Sequence, residues 1–582
     1  MNIWHNRTCL FFCILLYLSP AYTSPHIKLK LEGLSDEIQH KINSNISILQ
    51  GNKISDNPNN LKKQVERILR ENLQALGYYS SSIDFKFQPS LKNTNRILIV
   101  HVSPGIPIRI ANVNVILRGE ARQDKDYQLW VKNNTPKLGT ILNHNTYDHF
   151  KSGLSSLAIQ KGYFDATFKK HQLCISPERL QAYWDIDFNS GQRYRIRKIR
   201  FRNTNIRKEY LHNITKIKTL EYYSTELLEK LHRLLLSTNW FNSVVISPIL
   251  LDTKEKKTLL LDIIVTPSPR NRIESSIGYE TNIETRVKNT WNKPYLNSHG
   301  QSFQTNINLS AAKQSANIIY KVPKLKSPLH QYYHFNGQFK REDLNNTKIH
   351  EIKLHMSRFW KTSNGWKKAI NLHWRKGHFS QPGITNKNIL IYPGISVNRI
   401  RQHGELISKW GDSQYYSLDI SKKLWGSDVD FIILQTQNIW IRTLVEKHRL
   451  IAKWNFGWIK TNDFQRIPPS LRFFAGGDRS IRGYKYKSLS PQDDSGKLTG
   501  GYKLATGSLE YQYRIIDQWW GAVFIDGGQA MNKLKDSKIN RSAGIGLRWQ
   551  SPIGFIKFDI ASPIQASNDQ NVQFYIGLDQ QL

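Results

Sequence analysis

Two periods divide the chain, and the change between them falls near residue 270. Beyond it, apolar and polar residues alternate: Leu509, Tyr511, Tyr513 and Ile515 stand against Glu510, Gln512 and Arg514, and Leu450, Ala452, Trp454 and Phe456 against Ile451, Lys453 and Asn455. Ile370, Leu372 and Trp374 repeat the pattern, as do Ile556, Phe558 and Ile560. Period two predicts strands with one greasy and one wet face. In water the greasy face must pack on a second sheet, as in a sandwich; in a bilayer it faces lipid around a polar lumen. Length separates the two. Residues 270–582 number 313, too many for a sandwich. At about 9–11 residues per crossing, plus connections of similar size, they supply roughly sixteen antiparallel strands. The expectation is an all-β transmembrane barrel.

Before residue 270 the sequence repeats itself. The segments that open with Gly105 and Gly191 align without gaps through Val115 and Phe201. Each carries alternating apolar positions (Ile108, Ile110, Val113, Val115; Tyr194, Ile196, Ile199, Phe201) with one slip in the middle. Three amphipathic helices show one apolar stripe each: Leu61, Val65, Ile68, Leu69 and Leu76; Tyr147, Phe150, Leu154 and Leu157; Leu227, Leu228, Leu231, Leu234 and Leu235. They run into Gly77, Gly162 and Asn239, residue types suited to the left-handed position that closes a helix. Every unit therefore reads strand, helix, helix, strand, strand, with two helices covering one face of a small sheet. These units resemble POTRA domains, and three fit, at 22–104, 105–190 and 191–268, ahead of a barrel at 270–582. The fold class is thus α+β POTRA domains in tandem followed by an all-β barrel. Each small sheet leaves an open edge to which an extended peptide can add, and Asn242-Ser243-Val244-Val245-Ile246, in the unit next to the barrel, is the best candidate.

Residues 1–21 read as a signal peptide. Arg7 precedes an apolar run from Cys9 to Leu18 that is too short to span hydrocarbon as a helix, and Ser19-Pro20-Ala21 puts small residues where export cleavage needs them. The mature chain is expected to begin near Tyr22. No later stretch offers about 18 consecutive apolar residues, so a membrane would be crossed by strands. With Cys9 and Cys13 in the leader, Cys174 has no internal disulfide partner. Of the 16 Trp, 12 lie after residue 270, where aromatic girdles would mark both membrane interfaces. Lys plus Arg is 83 and Asp plus Glu is 45, a formal net charge of +38. Two explanations stand: a compositional bias of the genome, with abundant Asn and Ile, or attraction to anionic lipopolysaccharide and lipid head groups. Nucleic acid is excluded as a partner because the cations form no single stripe and an exported chain meets little of it.

Arg472-Phe473-Phe474-Ala475-Gly476-Gly477-Asp478-Arg479-Ser480-Ile481-Arg482-Gly483-Tyr484 is the most specific stretch. It resembles the inward-folded sixth extracellular loop of the Omp85 superfamily, with Ile481, Arg482, Gly483 and Tyr484 as its tip. Gly507-Ser508-Leu509-Glu510 and Phe524-Ile525-Asp526-Gly527-Gly528 resemble the superfamily's barrel-wall motifs. The resemblance implies Glu510, Phe524, Asp526 and Gly528 as lumen-wall partners of the loop. Glu510 lies on the wet face of its strand, and a planar guanidinium between Glu510 and Asp526 would pin the loop with charge-assisted hydrogen bonds. The loop lacks the Gly-x-x-x-x-Gly-Lys-Ser/Thr of a phosphate cradle. Asp478 and Ser480 are not accompanied by a nucleophile elbow, and His330 and His334 lie in strand-like sequence where their spacing does not converge on a metal. Enzyme, cofactor and metal chemistry are not expected.

Within the superfamily, three POTRA units before one barrel are similar to the translocation-and-assembly (TamA) branch. That likeness implies an insertase in the outer membrane of a Gram-negative-type bacterium, with the POTRA domains in the periplasm. Its clients would be unfolded outer-membrane proteins such as autotransporters, its surroundings outer-membrane lipid and lipopolysaccharide, and its partner a TamB-like, inner-membrane-anchored protein. A two-partner secretion transporter passing an exoprotein through the lumen, and a passive porin, are the alternatives. An insertase needs the seam between the first strand, near Ile273–Tyr279, and the last, near Val572–Leu578, to open. Gly278 and Gly577 lie inside these strands, where a missing side chain costs about 0.5–1 kcal/mol. Either they weaken the closure or they relieve crowding at a bend of the barrel.

Overall fold

The computed structural model describes residues 28–42, 58–88, 97–251, 257–280, 284–344, 347–381, 384–403, 409–494, 496–533, 539–551, 554–564 and 572–579. The leader 1–21, with its expected cleavage after Ala21, lies outside the described residues.

In the first repeat, β1 (Lys28–Glu32), β2 (Ser82–Gln88) and β3 (Ile97–Ser103) form a sheet of order β1-β3-β2. Helix α1 (Pro58–Ala75) lays Leu61, Val65, Leu69 and Leu73 against Leu98, Val100 and Val102, all buried. The second repeat has the same topology, with β4 (Arg109–Arg118), α2 (Lys125–Asn134), α3 (His144–Lys161), β5 (Thr167–Ser176) and β6 (Gln181–Asn189) in the order β4-β6-β5. Trp184, Ile186 and Phe188 of β6 pack beneath Tyr147, Phe150 and Leu154 of α3. The slip in the alternation of β4 is a β-bulge between Ile110 and Asn112, one extra residue that turns Val113 and Val115 back toward the helices.

The third repeat contains β7 (Arg195–Arg202), α4 (Lys208–Thr215), β8 (Glu221–Tyr222), α5 (Thr225–Leu236), β9 (Phe241–Leu251) and β10 (Thr258–Pro267), in the order β8-β7-β10-β9. The two-residue β8 is a strand that periodicity did not predict; two residues are too few to leave a period. By compactness the chain divides into two units. One holds the first two repeats with residues 191–197, 220–227 and 250–259 of the third, the other the rest of the third repeat and everything after it.

The helix-closing residues take the left-handed conformation their types suggested, with φ of 92° at Gly77, 85° at Gly162 and 61° at Asn239. In the first two repeats the same turn receives the next unit. The Gly77 carbonyl accepts the Ile108 N–H at 2.9 Å, and the Gly162 carbonyl accepts the Tyr194 N–H at 2.9 Å. In the third, the neighbouring Trp240 does this: its carbonyl accepts the Ser268 N–H at 2.9 Å and its indole Nε1–H donates to the Gly300 carbonyl at 3.0 Å. Gly300 is required there, because its φ is +68° and a Cβ would stand 2.0 Å from the Trp240 ring. Tyr295 and Leu329, from the turns at the near end of the barrel, pack into the core of the third repeat. Trp240→Ala is expected to lower the stability of that repeat by about 3–5 kcal/mol. The readout is a drop in its urea midpoint while the barrel, followed by its heat-modifiable gel migration, stays folded.

From residue 272 onward, sixteen strands form one sheet in sequence order, from β11 (Arg272–Glu280) to β26 (Gln573–Asp579), with antiparallel neighbours. The alternation sets its two faces: Ile370, Leu372, Leu509 and Ile515 are exposed on the outside, while Asn371, Glu510 and Gln512 are buried within. No helix among the described residues is long and apolar enough to cross a membrane. Strands β11 and β26 approach one another, but among the described residues no ladder joins them.

Candidate functional site

The segment 462–502 connects β21 (His448–Thr461) to β22 (Lys503–Ile516), and it folds back into the lumen. Its apolar residues make this possible. Ile467, Phe473, Ala475, Ile481, Tyr484 and Leu489 form a buried cluster with inward residues of the wall, among them Leu390, Tyr392, Phe431 and Ile459. Polar ties hold it to separate parts of the wall. On β18 (Ile384–His403), Asn386 and Asn388 donate to the carbonyls of Gln465 and Arg466 at 3.0 and 2.5 Å. On β15 (Gln331–Leu344), Glu342 lies 3.5 Å from Lys487.

The tip residue Arg482 sits between the carboxylates that the motifs single out. Its Nε and Nη2 donate to the two oxygens of Asp526 at 2.8 and 2.9 Å, the planar fork that suits a guanidinium, and Nη1 donates to Glu510 Oε2 at 2.7 Å. The Arg482 backbone N–H adds a further bond to Asp526 at 3.0 Å. Phe524, on β23 (Trp519–Met531), presents its ring 3.3 Å from the guanidinium carbon, so cation–π attraction joins the hydrogen bonds. Gly528 has a φ of +134°, and a Cβ there would stand 2.0 Å from the Ala505 carbonyl oxygen; it permits β23 to close on β22 beside the cluster. Ile481 is fully buried in the loop core, and the Tyr484 hydroxyl donates to the Arg541 carbonyl at 3.1 Å.

The structure adds residues that the sequence reading did not single out. Arg548, on β24 (Asn540–Ser551), donates to Glu510 at 2.9 Å and to Asp559 at 2.5 Å. Asp559, on β25 (Gly554–Pro563), also lies 3.4 Å from Arg482. The site is therefore a buried network of two guanidiniums and three carboxylates, and Gln512 donates to Glu510 at 2.6 Å to satisfy a further lone pair. Two glycines make room. A Cβ on Gly544 would meet the Phe524 ring at 2.4 Å, and one on Gly546 would meet Asp559 Oδ1 at 2.2 Å. A signal for Asp559 was present, since alternation with Phe558 and Ile560 places it on the wet face.

Gly278 and Gly577 lie apart from this network, on the two end strands. Among the described residues nothing stands within 4 Å of a Cβ built on Gly278, and the nearest atom to one on Gly577 is Lys557 Cε at 3.4 Å. Among the described residues no group of three or more His, Cys, Asp or Glu has a metal-holding arrangement. What the network can do chemically is hold a loop, because both guanidiniums are paired with carboxylates in a site shielded from water.

Comparison with known proteins gives matches in both halves. The Omp85 superfamily domain matches residues 271–581. The POTRA domain described as TamA domain 1 matches residues 28–104, and the POTRA family described as surface antigen variable number repeat matches 194–268. The outer membrane protein assembly factor BamA of Nitratidesulfovibrio vulgaris is 30% identical over 151 residues, which are 25% of this chain and 19% of that protein. The chain thus matches about a fifth of that relative's length. Among solved structures, BamA from Haemophilus ducreyi lacking POTRA domains 1–3 superposes with a TM-score of 0.66 at 16% identity, over 80% of this chain and 99% of that one. CdiB from Escherichia coli gives a TM-score of 0.46 at 13% identity, over 89% and 97%.

Proposed function

The chain belongs to the Omp85 superfamily, and from that premise we propose that it is a non-enzymatic insertase of the outer membrane, its POTRA domains in the periplasm. Its clients are unfolded outer-membrane proteins such as autotransporters, and the free energy comes from the client's own burial in lipid. The observation that carries this reading is the loop 462–502. It is tied to β15 and β18 on one side and to β22, β23 and β25 on the other, so a polymer has no clear way through the lumen, whereas the edges of β11 and β26 carry no ladder between them among the described residues. The match of residues 28–104 to the first TamA POTRA domain supports a TamB-like partner spanning the periplasm. The second reading, a two-partner secretion transporter, requires the whole loop to leave the lumen. Affinity capture from the native envelope tests the choice. Recovery of a TamB-like protein together with insertion of an autotransporter by proteoliposomes supports the insertase; recovery of a secreted exoprotein without a TamB-like protein supports the transporter.

The reading also assigns a place for client or partner capture. Strand β9 is at the edge of its sheet, and its outer stretch Asn242–Leu251 carries no charge, with Val245, Ile249 and Leu250 exposed. Edge strands that must stay unpaired usually carry charges, as β5 does with Lys169 and Lys170. A groove of about 370 Å³ lined by Leu228, Glu229, His232, Arg233 and Ile246 runs beside it and would accept alternate side chains of an added strand. Proline substituted in turn from Asn242 to Ile246 is expected to weaken peptide capture about tenfold wherever it removes an outward N–H. Equal capture by all five variants in a crosslinking assay would discard this edge.

A further inference from the structure

The tip of the loop also touches the last strand of the barrel, through one residue. Strand β26 has a ladder on one side only, with β25, among the described residues. Its Phe574 and Ile576 face outward and are exposed, whereas Tyr575 between them faces inward and is buried. The Tyr575 ring packs on Phe524 and Ala561. Its hydroxyl accepts the Gly483 N–H at 3.1 Å and donates to the Tyr484 carbonyl at 2.9 Å. Gly483 has a φ of +88°, and a Cβ there would come within 3.0 Å of Ser542 and Ser562, so its N–H is held in this direction by the wall around it. The ladder partner of Tyr575 is Asp559, the carboxylate shared by Arg482 and Arg548.

We propose that Tyr575 is a positioning residue that latches the last strand, β26, to the lumen loop, so that the seam opens only when the loop tip lets go. A hydroxyl that serves both a donor and an acceptor of the tip ties β26 to the loop in addition to its ladder with β25, and a strand at the end of a sheet gains most from such a tie. Residues 482–484 thereby grip five consecutive strands of the wall: β22 and β23 through Arg482, β24 through the Tyr484 hydroxyl on the Arg541 carbonyl, β25 through Asp559, and β26 through Tyr575. Movement of the tip is transmitted to the edge strand without any change in the ladders between β22 and β25. The latch stands on this geometry alone, while its part in insertion rests on the insertase reading above.

Hydrogen exchange on the purified full-length chain in lipid nanodiscs tests it, because Tyr575→Phe keeps the ring and its packing and removes only the hydroxyl. The expected result is amide exchange about tenfold faster across residues 573–579, with β24 unchanged. In Arg482→Ala the tip is already displaced, so adding Tyr575→Phe should produce no further acceleration. Unchanged exchange in Tyr575→Phe, or an effect that adds fully to that of Arg482→Ala, would overturn the latch. Client insertion into proteoliposomes is measured in parallel and is expected to fall several-fold, in the same direction as for Arg482→Ala, because a seam that the tip no longer holds cannot close again behind a client. Faster exchange with unaltered insertion would count against the insertase reading and leave the latch in place.

Discussion

Arg482→Ala is expected to leave the barrel folded, to release the loop from the wall and to reduce client insertion by at least tenfold. The side chain donates to Asp526, Glu510 and Ser508 and lies close to Asp559, all in a site shielded from water. Without it, Arg548 alone faces three carboxylates. Removing one partner of a buried charge network costs about 3–5 kcal/mol, chiefly because charge is left buried without a counter-charge. Every 1.4 kcal/mol is a factor of ten, so the equilibrium constant for the bound loop should fall by roughly two to four orders of magnitude. The sheet itself does not use this side chain, since the ladders between β22, β23, β24 and β25 are backbone bonds. Loss of function should therefore come without loss of the barrel. Arg482→Lys sharpens the result. An ammonium is a point charge that cannot make the bidentate fork to Asp526 and reach Glu510 together, so partial activity is expected. Full insertion activity in the alanine variant, with an unchanged heat-modifiable gel shift, would mean that the loop is held by its apolar core instead.

How far the sequence carries toward this site depends on which physical information a linear pattern contains. Period-two alternation states which face a residue takes, and it put Glu510 inside and Leu509 outside, as the sheet has them. A slip of phase in β4 was readable as well, and it is a bulge. Register is not in the pattern. That Asp559 lies opposite Tyr575, and that Gly546 vacates the space the Asp559 carboxylate fills, follows only once β24, β25 and β26 are laid side by side. Arg548 had a further disguise, being one of 83 basic residues, so a cation on a wet face drew no attention. Tyr575 was hidden for a related reason: an aromatic near the end of a strand reads as part of an interfacial girdle, and only the folded loop reveals that its hydroxyl serves backbone groups 91 and 92 residues away.

A covalent lock across the seam is expected to have the largest effect of all. Strands β11 and β26 carry no ladder to one another among the described residues, and β11 exposes Ile273 and Ile277 at 73% and 79%. Among the described residues nothing crowds a Cβ at Gly278; the glycine lowers the strand's preference for the extended state by about 0.5–1 kcal/mol relative to alanine. Weak closure there favours entry of a client strand by edge pairing, with each new backbone bond replacing none that was already made. The test begins with Cys174→Ser, because Cys174 is exposed and would react in the scan. Cysteine pairs are then moved along residues 273–278 and 573–577 until a register forms a disulfide, which needs Cα atoms about 4.4–6.8 Å apart. Oxidised barrels should insert clients at least tenfold more slowly, and reductant should restore the rate. A matched pair across β24 and β25, already joined by their ladder, should leave insertion unaffected and controls for oxidation itself. Undiminished insertion by a fully cross-linked barrel would remove the seam from the mechanism, because no client could then pair with β11 or β26, and the client would have to travel through a lumen from which the loop had withdrawn.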